Sequence, residues 1–421
     1  MERMHRRIKL ACYAVNLSMS AVANLSPLLF ITFRSLYGIS YTLLGLLVLV
    51  NFVTQLVTDL IFSFFSHKFN IPLVVKLTPV LTVLGLLLYA AAPLLFPQNI
   101  YVGLLLGTVV FSASAGLAEV LISPVIAALP SENPEREMSK LHSVYAWGVV
   151  LVIVISALYL KLLDNVHWQG LALLFLVFPL GACILYCGTT LPKMETPQRV
   201  SGVAEYLKKK ALWLSVLAIF FGGAAECTMA QWASGYIEQA LHIPKLWGDI
   251  CGVAMFALMM GVGRTMYARR GSHVLRVLLL GSVGATACYI VAALCPVPVV
   301  GLIACAVTGL CVSMLWPGSL IVASDYFPTG GVFIYAMMAA GGDFGASVGP
   351  QLVGSLTDAA LQSPLLLRLA EQLSLTPEQC GMKLGMLVGA CFPCLCAVVI
   401  LLILRDRKGK QSESLKSLEN N

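Results

Sequence analysis

The chain has 421 residues, of which 59% are hydrophobic and only 11% are charged, and its mean hydropathy is +0.87. An ordinary globular domain carries about a quarter charged residues, so this composition excludes a soluble enzyme, a disordered chain and a coiled coil. The net charge of +7 does not indicate a nucleic-acid partner, because its meaning depends on where the basic residues lie.

Apolar runs follow one another along the whole chain, each close to the roughly 20 residues that a helix needs to cross a bilayer. None shows the strict alternation of a membrane β-strand. We therefore predict an all-α membrane protein with twelve transmembrane helices in two pseudo-symmetric halves of six. The predicted spans are 10–33, 41–65, 73–96, 99–129, 140–163, 168–190, 211–239, 247–268, 273–295, 297–324, 330–358 and 381–404.

The start of the chain allows two interpretations. A basic segment at 1–9 precedes an apolar stretch with Ala21-Val22-Ala23, which resembles a signal-peptidase site. The apolar sequence continues to Phe33, past the length of a signal peptide, and this favours a retained first helix.

Lys and Arg are distributed unevenly between the predicted loops. If the helices alternate from a cytoplasmic N-terminus, 22 of the 27 Lys and Arg residues lie on the cytoplasmic side and five lie outside. This bias follows the positive-inside rule. It predicts a multi-pass protein, with both termini cytoplasmic, in the lipid bilayer of a bacterial cytoplasmic membrane. We expect a monomer with no nucleic-acid partner.

A polar segment at 191–210 divides the predicted helices six and six. We therefore predict an N-terminal half at 1–190, a cytoplasmic linker at 191–210, and a C-terminal half with a short tail at 211–421.

The two halves also share a motif in their fourth helices. Gly116 is followed by Pro124, and Gly309 is followed by Pro317, at the same spacing. A six-plus-six arrangement with a motif repeated in both halves predicts a duplicated transporter architecture.

This arrangement resembles the major facilitator superfamily over the whole chain. The basic loop motif of that superfamily is degraded at 63–70, where His67 stands in place of an acid and Asn70 in place of a glycine. The fourth helix matches a known transporter pattern more closely than the loop does. Gly116-Leu-Ala-Glu119-Val-Leu-Ile-Ser-Pro124 is similar to the Gly-x-x-Glu-x-x-x-Asn-Pro pattern of the fucose–galactose–glucose:proton symporter branch.

Two other segments are similar to the same branch. The segment 141–148 resembles its fifth-helix signature, with His142 where the fucose symporter has a glutamine. The segment that begins with Asn24 resembles its first-helix Asn-Leu-Asn-Asp, but Pro27 replaces the functional acid. The resemblance implies that Glu119 takes part in proton coupling and that the first-helix acid is missing.

Three acids lie near the middle of predicted spans, namely Glu119, Glu226 and Asp343. A charge at a helix centre costs about 2.5–3.5 kcal/mol even on the lenient insertion scale. We predict that these acids, with His142 as a further titrating group, serve proton coupling. A purely structural, hydrogen-bonded role is the alternative for each. For Asp59 and Arg264, which lie towards the ends of their helices, we predict a gating charge network.

Amide and aromatic side chains supply the candidate substrate site. We predict that Asn24 and Gln231 approach one central cavity from opposite halves. Interhelical hydrogen bonding and packing are the alternative roles for such polar and aromatic residues. The predicted substrate-binding residues are Asn24, Gln55, Gln231, Trp147, Trp232 and Trp316.

The sequence contains no motif of a nucleotide-binding, hydrolytic or metal-dependent enzyme. The thirteen cysteines lie mostly in apolar spans and are interpreted as small packing residues. We therefore predict a secondary transporter that is not an enzyme and that has the proton as its coupling ion and no cofactor. Uptake of a small polar solute such as a sugar is the first hypothesis. Efflux of amphipathic compounds by proton antiport and a non-transporting solute receptor are the alternatives.

Overall fold

The computed structural model describes residues 2–65, 68–130, 134–192, 203–270, 273–327 and 331–419. Within these ranges the regular secondary structure is helical throughout, and no strand occurs in them. Among the described residues, eleven helices are long and apolar enough to cross a membrane. At the position of the remaining predicted span, the helix Gly331–Gln362 has 32 residues. The prediction of an all-α, multi-pass membrane protein is confirmed.

The helices at the twelve predicted spans are named α1 to α12 in chain order. Those of the N-terminal half are α1 (Glu2–Leu28), α2 (Tyr41–Phe65), α3 (Ile71–Ala90), α4 (Ile100–Ala127), α5 (Pro134–Leu163) and α6 (Trp168–Leu174 with Val177–Tyr186). Those of the C-terminal half are α7 (Lys210–Gln239), α8 (Lys245–Gly248, Asp249–Ala254 and Met255–Arg270), α9 (Val274–Leu294), α10 (Pro298–Val312 with Leu315–Tyr326), α11 (Gly331–Gln362) and α12 (Pro377–Gly389 with Cys391–Glu419). The short connecting helices are Phe30–Tyr37, Ala92–Leu95, Val203–Leu207 and Pro364–Gln372.

Helix α1 begins earlier than the predicted span 10–33, because the basic segment before it is helical as well. Glu, Met, Arg and Lys are strong helix formers, so the first turns need no apolar character to form. Hydropathy marks only the part of a helix that lies in lipid. The helix begins before the predicted span and ends within it at Leu28, and the rest of the apolar run lies in the separate helix Phe30–Tyr37.

Small residues bring the same helix pairs together in each half. A Cβ atom at Gly116 of α4 would lie 3.0 Å from Thr58 and 3.1 Å from Asp59, both on α2. A Cβ atom at Gly309 of α10 would lie only 2.1 Å from the carbonyl oxygen of Phe256 on α8. The repeated Gly thus permits close approach of the second and fourth helices in both halves, as a duplicated architecture requires.

Pro317 interrupts the hydrogen-bond ladder of α10. Its ring nitrogen carries no hydrogen, so the carbonyl of Ser313, four residues earlier, receives no bond from it. The helix is divided at that point into Pro298–Val312 and Leu315–Tyr326. A backbone acceptor is thereby available inside the C-terminal half.

The bundle has two faces. At the terminal face, where α1 begins and α12 ends, Arg7 donates hydrogen bonds to the carbonyls of Ile184 and Cys187 beside the end of α6. Arg407 of α12 pairs with Asp325 at the end of α10 over 3.4 Å at the same face. The far face carries the other helix ends.

The two halves are closed against each other at the far face. The carboxylate of Asp358, near the end of α11, accepts hydrogen bonds from the backbone N–H groups of Tyr41 at 3.1 Å and Thr42 at 2.6 Å. These N–H groups begin α2 and have no partner within their own helix. Arg34 lies 3.9 Å from the centre of the Tyr41 ring and 3.9 Å from a Glu378 carboxylate oxygen. We call this group, Arg34, Tyr41, Thr42, Asp358 and Glu378, the far-face seal.

Removal of the Asp358 carboxylate should loosen the far-face seal. Asp358→Ala leaves the N–H groups of Tyr41 and Thr42 without their acceptor, although Ser40 Oγ still accepts from the Leu43 N–H; the loss of such a cap costs about 0.5–2 kcal/mol. In a cysteine-free background, Phe30→Cys reports on the seal, because Phe30 is fully buried beneath it. We expect a membrane-impermeant maleimide to label Cys at position 30 several-fold faster when Asp358 is replaced. The control is Glu371→Ala, an exposed acid of the same face, and equal labelling rates in the two variants would contradict the prediction.

Candidate functional site

The polar residues of α2 pack against those of α4 inside the N-terminal half. Ser112 Oγ donates a hydrogen bond to Asn51 Oδ1 over 2.6 Å. One turn further, Gly116 places α4 against Gln55 and Asp59. The two predicted polar stripes therefore face each other. The hydrogen bond between Ser112 and Asn51 is structural. Further along the same two helices, the stripes continue to Asp59 on α2 and Glu119 on α4.

Asp59 and Asp343 meet at the contact between α2 and α11, which belong to different halves. The carboxyl groups of the two residues are close together, and both residues are at least 95% buried, with 5% and 3% exposed. Asp59 Oδ1 and Asp343 Oδ2 are buried, and the described part of the chain offers neither a hydrogen-bond partner.

Glu119 completes this group from α4. It lies close enough to Asp59 and Asp343 for its charge to act on both. It is eight residues from the end of α4 at Ala127, or about 12 Å inside the terminal face, and yet its side chain is exposed. An exposed side chain at this depth that faces other helices lines an internal cavity. We call Asp59, Glu119 and Asp343 the acid cluster.

An ion pair forms a second charged group in the C-terminal half. An Arg264 Nη atom of α8 donates to Glu226 of α7 over 3.2 Å. Arg264 Nε donates to the carbonyl oxygen of Ser313 over 3.0 Å, the acceptor made available by Pro317. The guanidinium is thus fixed at two points, and Glu226, whose side chain is 15% exposed, has a counter-charge within reach.

Tyr145 and Cys227 lie between the acid cluster and the ion pair. Tyr145 of α5 is near the charges of Glu119, Glu226 and Arg264. Cys227 of α7 is near Glu226, Asp343 and Arg264. Neither residue was among the predicted site residues. The available signal for Tyr145 was its position in the fifth-helix segment 141–148.

Trp316 lies beside both charged groups. Its ring covers Gly223 of α7 and Gly342 of α11, where a Cβ atom would approach the ring to 2.9 Å and 2.5 Å. The ring is therefore packed between α7 and α11, within one helical turn of Glu226 and Asp343 along the chain. Trp316 is partly exposed and retains an accessible edge.

The structure corrects the substrate-binding role predicted for Trp232. Its side chain is fully buried, its ring centre is 5.0 Å from that of Phe30 and 6.1 Å from that of Tyr41, and its Nε1 donates to the Pro350 carbonyl over 2.8 Å. A ring enclosed on all sides by protein has no face for a solute. Trp232 packs beneath the far-face seal.

The predicted amide ligands also have little free surface. Gln55 and Gln231 are each only 7% exposed, and this arrangement gives neither a surface for binding a solute. Asn24 is partly exposed, but its Nδ2 donates to the Ser20 carbonyl of its own helix over 2.8 Å. The predicted meeting of Asn24 and Gln231 in one cavity is therefore not seen.

Two further predicted residues lie apart from the site. Trp147 is 65% exposed and lines a groove whose described residues belong to α1 and α5 alone, so it does not share the space around the acid cluster. The side chain of His142 falls outside the part of the chain that the structure describes. Among the described residues, no group of three or more His, Cys, Asp or Glu has the arrangement of a metal site.

Residues 11–350 match the family model of the Major Facilitator Superfamily, which covers most of the chain. The chain belongs to this superfamily. This accounts for the multi-pass helical architecture of the described residues, and it makes the molecule a membrane transporter of the secondary type. No curated protein sequence matches the chain.

Solved structures of other members of the superfamily have the same fold. A bacterial homologue of the human lysosomal transporter Spinster, in an inward-facing and occupied conformation, is 15% identical, with a TM-score of 0.70 over 94% of this chain and 96% of that one. A D-xylose–proton symporter is 14% identical, with a TM-score of 0.70 over 94% and 96%. The nucleoside transporter NupG is 13% identical, with a TM-score of 0.68 over 95% and 99%. At these identities the similarity shows the fold alone.

The ion pair should contribute to stability through the charge that it compensates. Arg264→Gln leaves Glu226 in a largely buried position without its counter-charge, and we expect a loss of about 1–3 kcal/mol in the free energy of unfolding. The double variant Arg264→Gln/Glu226→Gln removes both charges and should recover part of that loss. Thermal unfolding in detergent measures the stability of the unaltered protein, the single variant and the double variant. A double variant no more stable than the single one would contradict the pairing.

Proposed function

We propose that the protein takes up a small polar solute, such as a sugar, together with protons, by alternating access between its two six-helix halves. The observation that carries this proposal is the acid cluster. It joins α2 and α4 of one half to α11 of the other, and Glu119 lines the internal cavity. A group that spans both halves can couple its protonation to their relative movement.

The chemistry of the acid cluster supports proton coupling. Two carboxyl groups can form a hydrogen bond with each other only when one of them carries a proton, and we infer that the contact of Asp59 with Asp343 holds a proton. Loss of that proton places like charges together in a low-dielectric interior, where they repel strongly. Proton binding and release therefore act on the contact between the halves. Glu119 is the group through which the cavity reaches this pair.

The groups around the cavity suit a solute rich in hydroxyl groups. Such a solute must exchange its water for fixed donors and acceptors, and Glu119, Tyr145 and the Glu226–Arg264 pair offer both kinds. The accessible edge of Trp316 provides an aromatic surface beside them. The similarity of the fourth helix to the fucose–galactose–glucose:proton symporter pattern and the fold shared with a D-xylose–proton symporter favour a sugar.

The orientation follows from the basic residues. With the terminal face in the cytoplasm, the 22-to-5 division of Lys and Arg agrees with the positive-inside rule. We propose that both termini are cytoplasmic, in a bacterial cytoplasmic membrane. The far-face seal then closes the site on the outside, and Glu119 is reached from the cytoplasmic side.

Counterflow in proteoliposomes tests the class of solute. We expect that one or more unlabelled sugars inside the vesicles drive uptake of the same labelled sugar, and that amino acids and cationic dyes do not. An inward proton gradient should then accumulate the sugar. Exchange of cationic dyes in place of sugars would instead support the alternative of efflux by proton antiport.

Substitution of Glu119 tests the coupling. Glu119→Gln has the shape of the protonated side chain but cannot release a proton. Counterflow, which needs no net proton movement, should persist, whereas proton-driven accumulation should fall to the equilibrium ratio of one. Glu205→Gln, at an exposed acid of the short helix Val203–Leu207, is the matched control. Normal accumulation by Glu119→Gln would exclude this residue as the proton carrier.

A further inference from the structure

A groove of about 500 Å³ runs along the N-terminal half between α1 and α5. Its described lining belongs to these two helices and includes Tyr13, Leu17, Lys140, Val144, Trp147 and Leu151. The transport site uses none of these residues. The groove is therefore a separate feature that the proposed function leaves unexplained.

The groove faces the bilayer. Along α5 the exposed residues Trp147, Leu151, Leu158 and Leu162 are all apolar, with exposures of 65%, 44%, 45% and 78%, and they recur on one face of the helix. Tyr145, two residues before Trp147, is turned about 200° away from it and lies near the charges of the transport site. Trp147 consequently points outward, on the lipid side of α5.

The floor of the groove is closed. A Cβ atom at Gly148 would lie 2.6 Å from Ser20 Oγ and 2.9 Å from Leu17 Cδ2, so α5 rests directly on α1. Ser20 Oγ also donates to the Tyr145 carbonyl over 2.9 Å, and Asn16 Nδ2 to the Leu141 carbonyl over 2.9 Å. This packing separates the groove from the cavity at Glu119. A molecule in the groove is thus held at the surface and is not on a path to the transport site.

The two ends of the groove differ in chemistry. Lys140 is exposed near the start of α5, at the terminal face, where α1 also carries exposed Arg3 and Arg6. Tyr13 is of a residue type enriched where a membrane meets water. Further from this face, Leu17, Val144 and Leu151 make the lining apolar. Basic pockets between membrane helices bind anionic lipid headgroups.

We propose that the groove between α1 and α5 is a binding site for an anionic phospholipid of the leaflet at the terminal face. The phosphate lies at Lys140, and the acyl chains lie along Leu17, Val144 and Leu151 against the Trp147 ring. The positive charge at one end and the apolar lining at the other match the two parts of such a lipid. The site is independent of the solute and of proton coupling.

Native mass spectrometry of the full chain in detergent tests this site, with phosphatidylglycerol and phosphatidylcholine as probes. We expect the protein to retain more phosphatidylglycerol. Lys140→Gln should weaken its binding about fivefold, the effect of one basic residue near the surface, and leave phosphatidylcholine unchanged. Lys161→Gln, an exposed lysine at the other end of the same helix, is the control. Inorganic phosphate should not displace the lipid, because it has no acyl chains.

A second pair of variants tests the apolar part. Trp147→Ala should lower the retention of both lipids, whereas Trp213→Ala, at a tryptophan of α7 that is 47% exposed, should not. Val144→Trp fills the groove and should displace lipid even if Lys140→Gln does not fold. Equal retention of the two lipids by the unaltered protein, or equal losses in Lys140→Gln and Lys161→Gln, would overturn the proposal. Unchanged lipid retention in Val144→Trp would do so as well.

Discussion

The cost of placing carboxyl groups in an apolar helix bundle governs the centre of this protein. Each such group costs several kcal/mol unless it is protonated or paired, and four of them lie close together. The structure uses two solutions. Glu226 receives a guanidinium at 3.2 Å, whereas Asp59 and Asp343 share a contact across the two halves. The stable ion pair of Glu226 and the carboxyl pair of Asp59 and Asp343, whose contact depends on a proton, therefore lie on neighbouring helices.

Backbone irregularities make the first of these solutions possible. Arg264 is fixed because Pro317 leaves the Ser313 carbonyl free to accept its Nε hydrogen. Gly223 and Gly342 leave the space that the Trp316 ring occupies between α7 and α11. In a bundle where most residues only fill space, a few prolines and glycines thus decide where the charged side chains are held.

The sequence was sufficient to predict the helices, because about 20 consecutive apolar residues have few other structures available. It also predicted that Glu119, Glu226 and Asp343 are exceptional, since each contradicts its apolar surroundings. It could not predict which residues meet. The side of a helix that faces lipid, a neighbour or a cavity depends on packing between helices distant in sequence. For that reason two tryptophans that look alike in the sequence lie in different places: Trp147 lines a lipid-facing groove, and Trp232 lies in a closed core. The position of Tyr145 at the site was not predicted for the same reason.

The cap that Asp358 places on α2 ties the local order of a helix to the arrangement of the whole molecule. The acceptor for the amides of Tyr41 and Thr42 belongs to the opposite half, so these two hydrogen bonds exist only while the far face is shut. When that face opens, as the proposed alternating access requires, these two amides lose their acceptor and are exposed to water. The exchange of two backbone hydrogens with solvent then records how often the protein changes its conformation.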